Sequence, residues 1–259
     1  MPYMSRKLSV VLIVPNSNHF LPIIISSLSS ELGTAGCDWE IIVVGDADPK
    51  VQDYLDKTIS QAAKIKFYDY PVNLPYHQAF SYAFYKTCGN LVCYLDPDLD
   101  LPGLNIRTLL AYLDQDGADY AIGSKFHPHS QTNHPFSHKL VGYIFALINR
   151  FLFNLSLKES NLKIKIFKRA VLEASVPRLT GKLQAFHPEL LVVSHHLGFA
   201  LTEAPVTCRQ IVNSKIAWHQ FWQFAKDLIA IFVNLAILRT YDRPEARKKL
   251  LIGAQQLAV

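Results

Sequence analysis

Apolar and polar positions follow two alternating rhythms along this chain. Leu8-Ser-Val-Val-Leu-Ile-Val14 is a nearly unbroken β-branched run, which predicts a strand buried on both faces. Phe20 to Leu32 repeats apolar residues at helical spacing. Trp39-Glu-Ile-Ile-Val-Val44 predicts a second buried strand, Val51 to Ala63 a helix, and Ile65 to Tyr70 a third, more exposed strand. His77 to Thr87 reads as a helix, and Cys88-Gly89-Asn90 turns it into the apolar strand that begins at Leu91. Ile106 to Asp114 and Asp119 to Gly123 add another helix and strand. This alternation predicts an α/β, Rossmann-like fold, with a mostly parallel sheet and helices on both faces.

The second half changes style. Residues 127–135 form a loop rich in His and Pro, expected to act as a flap. Phe136 to Leu155 is a strongly apolar helix whose only formal charges are Lys139 and Arg150. Leu162 to Phe167 alternates as a strand with one polar face, Pro188 to Leu197 is helical, and Phe199 to Thr207 reads as an edge strand. Trp218 to Leu238 predicts an amphipathic helix rich in aromatic residues. The expected division is a catalytic-type domain over 1–215 and an amphipathic helical segment over 216–259, packed on that domain or on a membrane interface.

Composition narrows the classes. Half of the 259 residues are hydrophobic and 18% are charged, enough for a large core. The net charge of +5 suits an anionic substrate or membrane face and is too weak to argue for nucleic acid. The four cysteines show no metal spacing and are expected to be reduced thiols in a cytosolic protein. No apolar run reaches the length of a spanning helix. The helices at 136–155 and 218–238 pair aromatic residues with flanking Lys and Arg, a composition suited to lying in a membrane interface. Burial against the domain, or in a dimer, is the alternative.

The candidate chemistry begins where the fourth predicted strand ends. Leu91-Val-Cys-Tyr-Leu-Asp-Pro-Asp-Leu-Asp100 delivers Asp96, Asp98 and Asp100 at alternate positions. Like charges at that spacing repel unless a cation sits among them. Oxygen-only ligands favour a hard ion, Mg2+ or Mn2+, with phosphate oxygens completing its shell. Ligands of such sheets bind beyond the carboxyl ends of the strands, so Asn16, Asp46 and Asp96 are expected to converge on one crevice.

With these landmarks in order, the chain resembles the inverting family 2 glycosyltransferases of GT-A fold, and among them the polyprenyl-phosphate sugar synthases of the dolichyl-phosphate mannose type. The resemblance spans roughly residues 8–240. It rests on Val14-Pro15-Asn16-Ser17-Asn18, Val43-Val44-Gly45-Asp46, the landmarks Asn73, Ala79 and Gly89, the Asp96–Asp100 motif, Gly123-Ser124-Lys125, Ile166 to Arg169, Glu189 to Leu191, Glu203 to Val206, and Arg209 to Lys215. It implies a metal-dependent transfer of a hexose from a nucleotide-sugar to a polyprenyl-phosphate or glycan acceptor, by an enzyme peripheral at the inner, cytoplasmic face of the membrane. Pro15, Asn16, Asn18, Asp46, Asp96, Arg209 and Lys215 would meet the nucleotide-sugar; Asn18 and Asp46 are also fit to cap helices. Asp96, Asp98 and Asp100 would hold the metal, with Asp98 and Lys125 catalytic. Lys125, Lys139, Arg150 and Glu189 would meet the acceptor. For Lys139 and Arg150 the alternative is snorkelling from an apolar helix, and for Glu189 a structural role at a helix start. If the acceptor is a sugar hydroxyl, Glu189 or His187 would be the candidate base. Departures at His19, Gly45, Pro75, Asn161-Leu162-Lys163 and Asn213 keep a second reading open: a catalytically impaired relative that binds a nucleotide or serves as a scaffold.

Overall fold

The computed structural model describes residues 6–14, 21–34, 36–45, 64–70, 76–96, 104–131, 136–155, 157, 164–180, 186–208 and 218–242, with only the backbone described for 136–141 and 218–221. The helix expected over 51–63 lies outside these residues.

Seven strands form one sheet: β1 (Lys7–Val14), β2 (Asp38–Gly45), β3 (Ile65–Asp69), β4 (Leu91–Leu95), β5 (Tyr120–Ser124), β6 (Ile164–Lys168) and β7 (Leu201–Pro205). Their order is β3-β2-β1-β4-β6-β5-β7. All pairings are parallel except those of β6, which runs antiparallel to β4 and β5. The continuous apolar run of β1 is explained by its central place, because both faces are covered. Val11 and Ile13 enter one apolar cluster, and Leu8, Val10, Leu12 and Val14 the other.

Two helices cover one face. α1 (Leu21–Gly33) buries Leu21, Ile25, Leu28 and Leu32, and α3 (Leu104–Gln115) buries Ile106, Leu109 and Leu113, both at helical spacing. The opposite cluster takes Ala79, Phe80, Ala83 and Phe84 of α2 (Tyr76–Lys86), Phe153 of α4 (Phe136–Phe153), Val171 and Leu172 of α5 (Arg169–Ser175), and α6 (Phe186–His196). α6 is buried from Phe186 to Ser194, as expected of a helix that is apolar nearly all round. Leu228 and Ile231 of α7 (Trp218–Phe232), together with Tyr241, belong to that same cluster.

Two local features differ from the sequence reading. β6 was expected to show one polar face, yet Lys165 is only 1% exposed. The strand lies between β4 and β5 in the sheet, and an apolar cluster covers each of its faces: Phe167 enters one, and Ile164 and Ile166 the other. α5 was not anticipated; it is seven residues long, too short for a periodic signal. No disulfide joins the four cysteines. Among the described residues no helix is long and apolar enough to cross a membrane.

Candidate active site

The strand order reverses at β1. The chain builds outward to β2 and β3 and then returns to β4 on the other side, which opens a crevice at the carboxyl ends of β1 and β4. β1, β2, β3, β4, β5 and β7 all end on that rim. Val14 pairs with Gly45 and Leu12 with Leu95, so Asp96 emerges just past β4 at the reversal. Asp96 is 4% exposed. By alternation from Tyr94 it projects to the side of the sheet covered by α2 and α6.

An aromatic wall stands beneath Asp96 on that side. The Tyr94 ring lies 5.0 Å from His187 and 5.8 Å from Phe80, and its hydroxyl is hydrogen bonded to that of Tyr76. Phe186 closes the group at 5.0 Å from Phe80. α2 and the first turn of α6 therefore shape the floor of the crevice. Tyr70, just after β3 on the same rim, donates its N–H to the Gly45 carbonyl at 3.1 Å. Its buried hydroxyl has no hydrogen-bond partner among the described residues, and burial pushes its pKa up to about 12. Sequence reasoning missed Tyr70 because a lone aromatic at a strand end carries no motif.

Lys125 reaches the rim from the other half of the sheet. Tyr94 and Ile122 face the same residue of β6, so Asp96 and Ser124 each stand two residues further toward one edge. The stretch after Lys125, expected to be a flap, is fastened over 127–131: Ser130 donates its hydroxyl to the Ser124 carbonyl at 2.6 Å and accepts the Val206 N–H at 3.0 Å. Gln131 continues the attachment through Val206 and Cys208. Phe126 seats its ring on Gly142 of α4, where a Cβ would approach that ring to 2.3 Å. Only glycine permits the helix to come so close.

Asn105, in the first turn of α3, is 2% exposed and bonds both backbone polar groups of Thr207. It joins the segment that follows the Asp motif to the chain leading toward Arg209.

The expected site residues divide as follows. Asp96 and Lys125 share the rim. Glu189 lies in the first turn of α6, 1% exposed, with Oε1 accepting the Thr180 N–H at 2.7 Å, the Thr180 hydroxyl, and the Tyr241 hydroxyl at 2.9 Å. These bonds match a structural role at the helix start, while Oε2 is buried without a hydrogen bond to any described residue. Arg150 is exposed on α4, about 12 Å along the helix axis from Gly142. Lys139 falls on the same helix, but its side chain lies outside the described residues. Pro15, Asn16, Asn18, Asp46, Asp98, Asp100, Arg209 and Lys215 also lie outside them. The described flanks nevertheless lead from Val14, Gly45, Asp96 and Cys208 toward those positions.

The sequence departure at Gly45 has a packing cause. A Cβ there would stand 2.1 Å from the Val14 carbonyl oxygen. The ends of β1 and β2 approach too closely for any side chain at this position.

The family model described as "Glycosyl transferase family 2" matches residues 9–176. Among solved structures, glucosyl-3-phosphoglycerate synthase from Mycobacterium tuberculosis in complex with uridine diphosphate superposes with a TM-score of 0.61 at 17% identity, covering 88% of this chain and 79% of that one. The same enzyme with Mn2+, uridine diphosphate and phosphoglyceric acid gives a TM-score of 0.63 at 16% identity, covering 88% and 78%. At these identities the likeness establishes a shared fold.

Proposed function

This chain belongs to glycosyl transferase family 2 and is a glycosyltransferase, and from that premise we propose that it moves a hexose from a nucleotide-sugar to a lipid-phosphate or glycan acceptor, with inversion at the anomeric carbon. The observation that carries this reading is Asp96, a buried carboxylate placed at the strand reversal with Lys125 on the same rim.

The donor's sugar–phosphate bond breaks to release a nucleoside diphosphate, whose growing charge must be neutralised. Asp96, with Asp98 and Asp100, offers only oxygen ligands, which fit Mg2+ or Mn2+. Such an ion supplies Lewis acidity for the diphosphate leaving group. Arg209 and Lys215 follow the Asn105-anchored segment and are assigned to the diphosphate, with Arg suited to bidentate contact. Pro15, Asn16, Asn18 and Asp46 follow β1 and β2 and are assigned to the nucleoside, and the orphaned Tyr70 hydroxyl stands on the same side of the reversal.

Lys125 is assigned to an anionic acceptor. A phosphate oxygen is already a nucleophile, so such an acceptor needs placement rather than a strong base. The related fold crystallised with phosphoglyceric acid lends support to an acceptor that carries a phosphate. A lipid-linked acceptor places the enzyme at the cytoplasmic face of a membrane. The packing cause of Gly45 weakens the case for an impaired relative, since that departure answers to backbone spacing and not to loss of chemistry.

The test is a thermal-shift panel of UDP-, GDP-, CDP- and dTDP-sugars with and without Mn2+. Ligand at a hundred times its Kd stabilises the folded state by about 2.7 kcal/mol. One donor should raise Tm in a Mn2+-dependent way, and Asp98→Asn should abolish the Mn2+ effect. No response to any donor would overturn the reading.

A further inference from the structure

α4 and α7 lie side by side and run in the same direction. Phe145 meets Phe224 with ring centroids 4.6 Å apart, and two turns further Phe153 meets Phe232 at 6.5 Å. Each helix turns one side to the core, α4 through Asn149 and Phe153 and α7 through Leu228 and Ile231. The opposite sides are apolar as well. α4 exposes Tyr143, Ile144, Leu147 and Phe151, the last at 88%, and α7 exposes Trp222 and Ile229. Ile237 and Leu238 extend the stripe beyond α7. Eight of the eleven large apolar side chains exposed among the described residues belong to these two segments, so the surface is concentrated and not scattered.

Charge identifies the occupant. The exposed ionic groups described on this surface are Arg150, Lys226 and Arg239; Asp242, just past Arg239, is exposed too but is paired with His196. Residues 136–155 contain no acid, and the only acid in 218–238, Asp227, is 5% exposed and accepts a hydrogen bond from Gln223. A two-fold dimer through this face would bring the cations of α4 and α7 together with no exposed carboxylate among the described residues of either helix to pair them. An anionic lipid surface meets both features at once: headgroups take the cations, and the acyl boundary takes the aromatic and aliphatic side chains.

We propose that the paired outer faces of α4 and α7 dock the protein onto an anionic lipid bilayer. The inference rests on the lipid-linked acceptor reading and deepens it by naming the surface and its headgroup chemistry. Phe126, seated on Gly142, ties the residue after Lys125 to the docking helix, so docking sets the height of the acceptor rim above the lipid.

The experiment is sedimentation of the full chain with vesicles of phosphatidylcholine alone or mixed with phosphatidylglycerol, across a salt series. Wild type should co-sediment with the mixed vesicles and be released by salt. Phe151→Ser combined with Trp222→Ser should weaken partition by roughly tenfold or more, since each exposed ring contributes burial. Lys226→Glu should weaken it only on the anionic vesicles. Donor-induced thermal shifts, measured without lipid, should be the same in all variants. That control separates failure of the docking surface from failure of the transferase reading. Absence of binding to mixed vesicles, equal binding by the double variant, or a dimer in solution that the double variant dissolves would each overturn the proposal.

Discussion

Asn105 replaces a backbone partner for Thr207. Its Nδ2 donates to the Thr207 carbonyl at 3.0 Å, and its Oδ1 accepts the Thr207 N–H at 2.9 Å. One amide side chain thereby joins the start of α3, which follows Asp98 and Asp100 in sequence, to the chain that precedes Arg209 and Lys215. Asn105→Ala would orphan both backbone groups, at about 1–3 kcal/mol for each one that stays buried. We expect a lower Tm and a raised KM for the donor, with kcat less affected. Asn105→Asp keeps the acceptor and loses the donor, so it should fall between the two. Steady-state kinetics beside thermal melts checks this, and an unchanged KM would remove the positioning role.

Asp96→Asn should cut transfer by roughly a hundredfold or more, about 3 kcal/mol of transition-state stabilisation, with little loss of fold. Chelation of divalent ions from the wild type should produce a comparable fall, reversed by Mn2+. Single-turnover transfer with the right donor is the measurement.

Gly45→Asp, which would place a second carboxylate beside Asp46, should destabilise the protein by about 1–3 kcal/mol or more and fail to raise activity. The new Cβ meets the Val14 carbonyl, which belongs to backbone and cannot swing away. Denaturant melts of Gly45→Ala and Gly45→Asp should both show the loss.

Glu40 sets an acid limb. Burial pushes its carboxyl up, but hydrogen bonds from Ser9, from the Cys88 N–H and thiol, and from Lys66 outweigh it and hold the pKa at about 2, against an ordinary 4.5. The folded value is depressed, so this stability is present above about pH 4.5 and drains away as pH falls toward 2. Its full extent is on the order of 3 kcal/mol. Glu40→Gln should flatten the pH dependence of unfolding in that window, and Ser9→Ala should shrink it.

Tyr241→Phe removes the hydroxyl that bridges to Glu189 inside the core. A buried hydrogen bond to a carboxylate contributes about 1.5–3 kcal/mol, so Tm should drop accordingly. Adjacent Asp242 pairs with His196 at 2.7 Å, so both ends of α6 are tied to one short turn. A variant as stable as wild type would show the bridge to be idle.

The β1–β4 half of the sheet was legible because its signals are local. β1, β2 and β4 are continuous apolar runs, and Asp96 follows directly from one of them. β6 was misread in character because Lys165 alternates with Ile164 and Ile166. Alternation marks a half-buried strand only where one face meets solvent, and here apolar clusters cover both faces. Of the bonds that organise the second half, only the structural role of Glu189 at a helix start was legible. Tyr241 to Glu189 and Asn105 to Thr207 join residues far apart in sequence, and none of the four carries a periodic signature. Tyr70 was overlooked for a related reason: its orphaned hydroxyl is a property of burial, which no short stretch of sequence encodes.

Strand β6 travels against its neighbours, so the polypeptide departs from β5 and re-enters the sheet along a single border. Residues 125–163, the helix bearing Phe151 included, amount to a detour with both feet on the same side. Lengthening or trimming that detour changes what stands over this border without rethreading a strand, so under the proposed roles acceptor choice is free to diversify while the β1–β4 half stays as built.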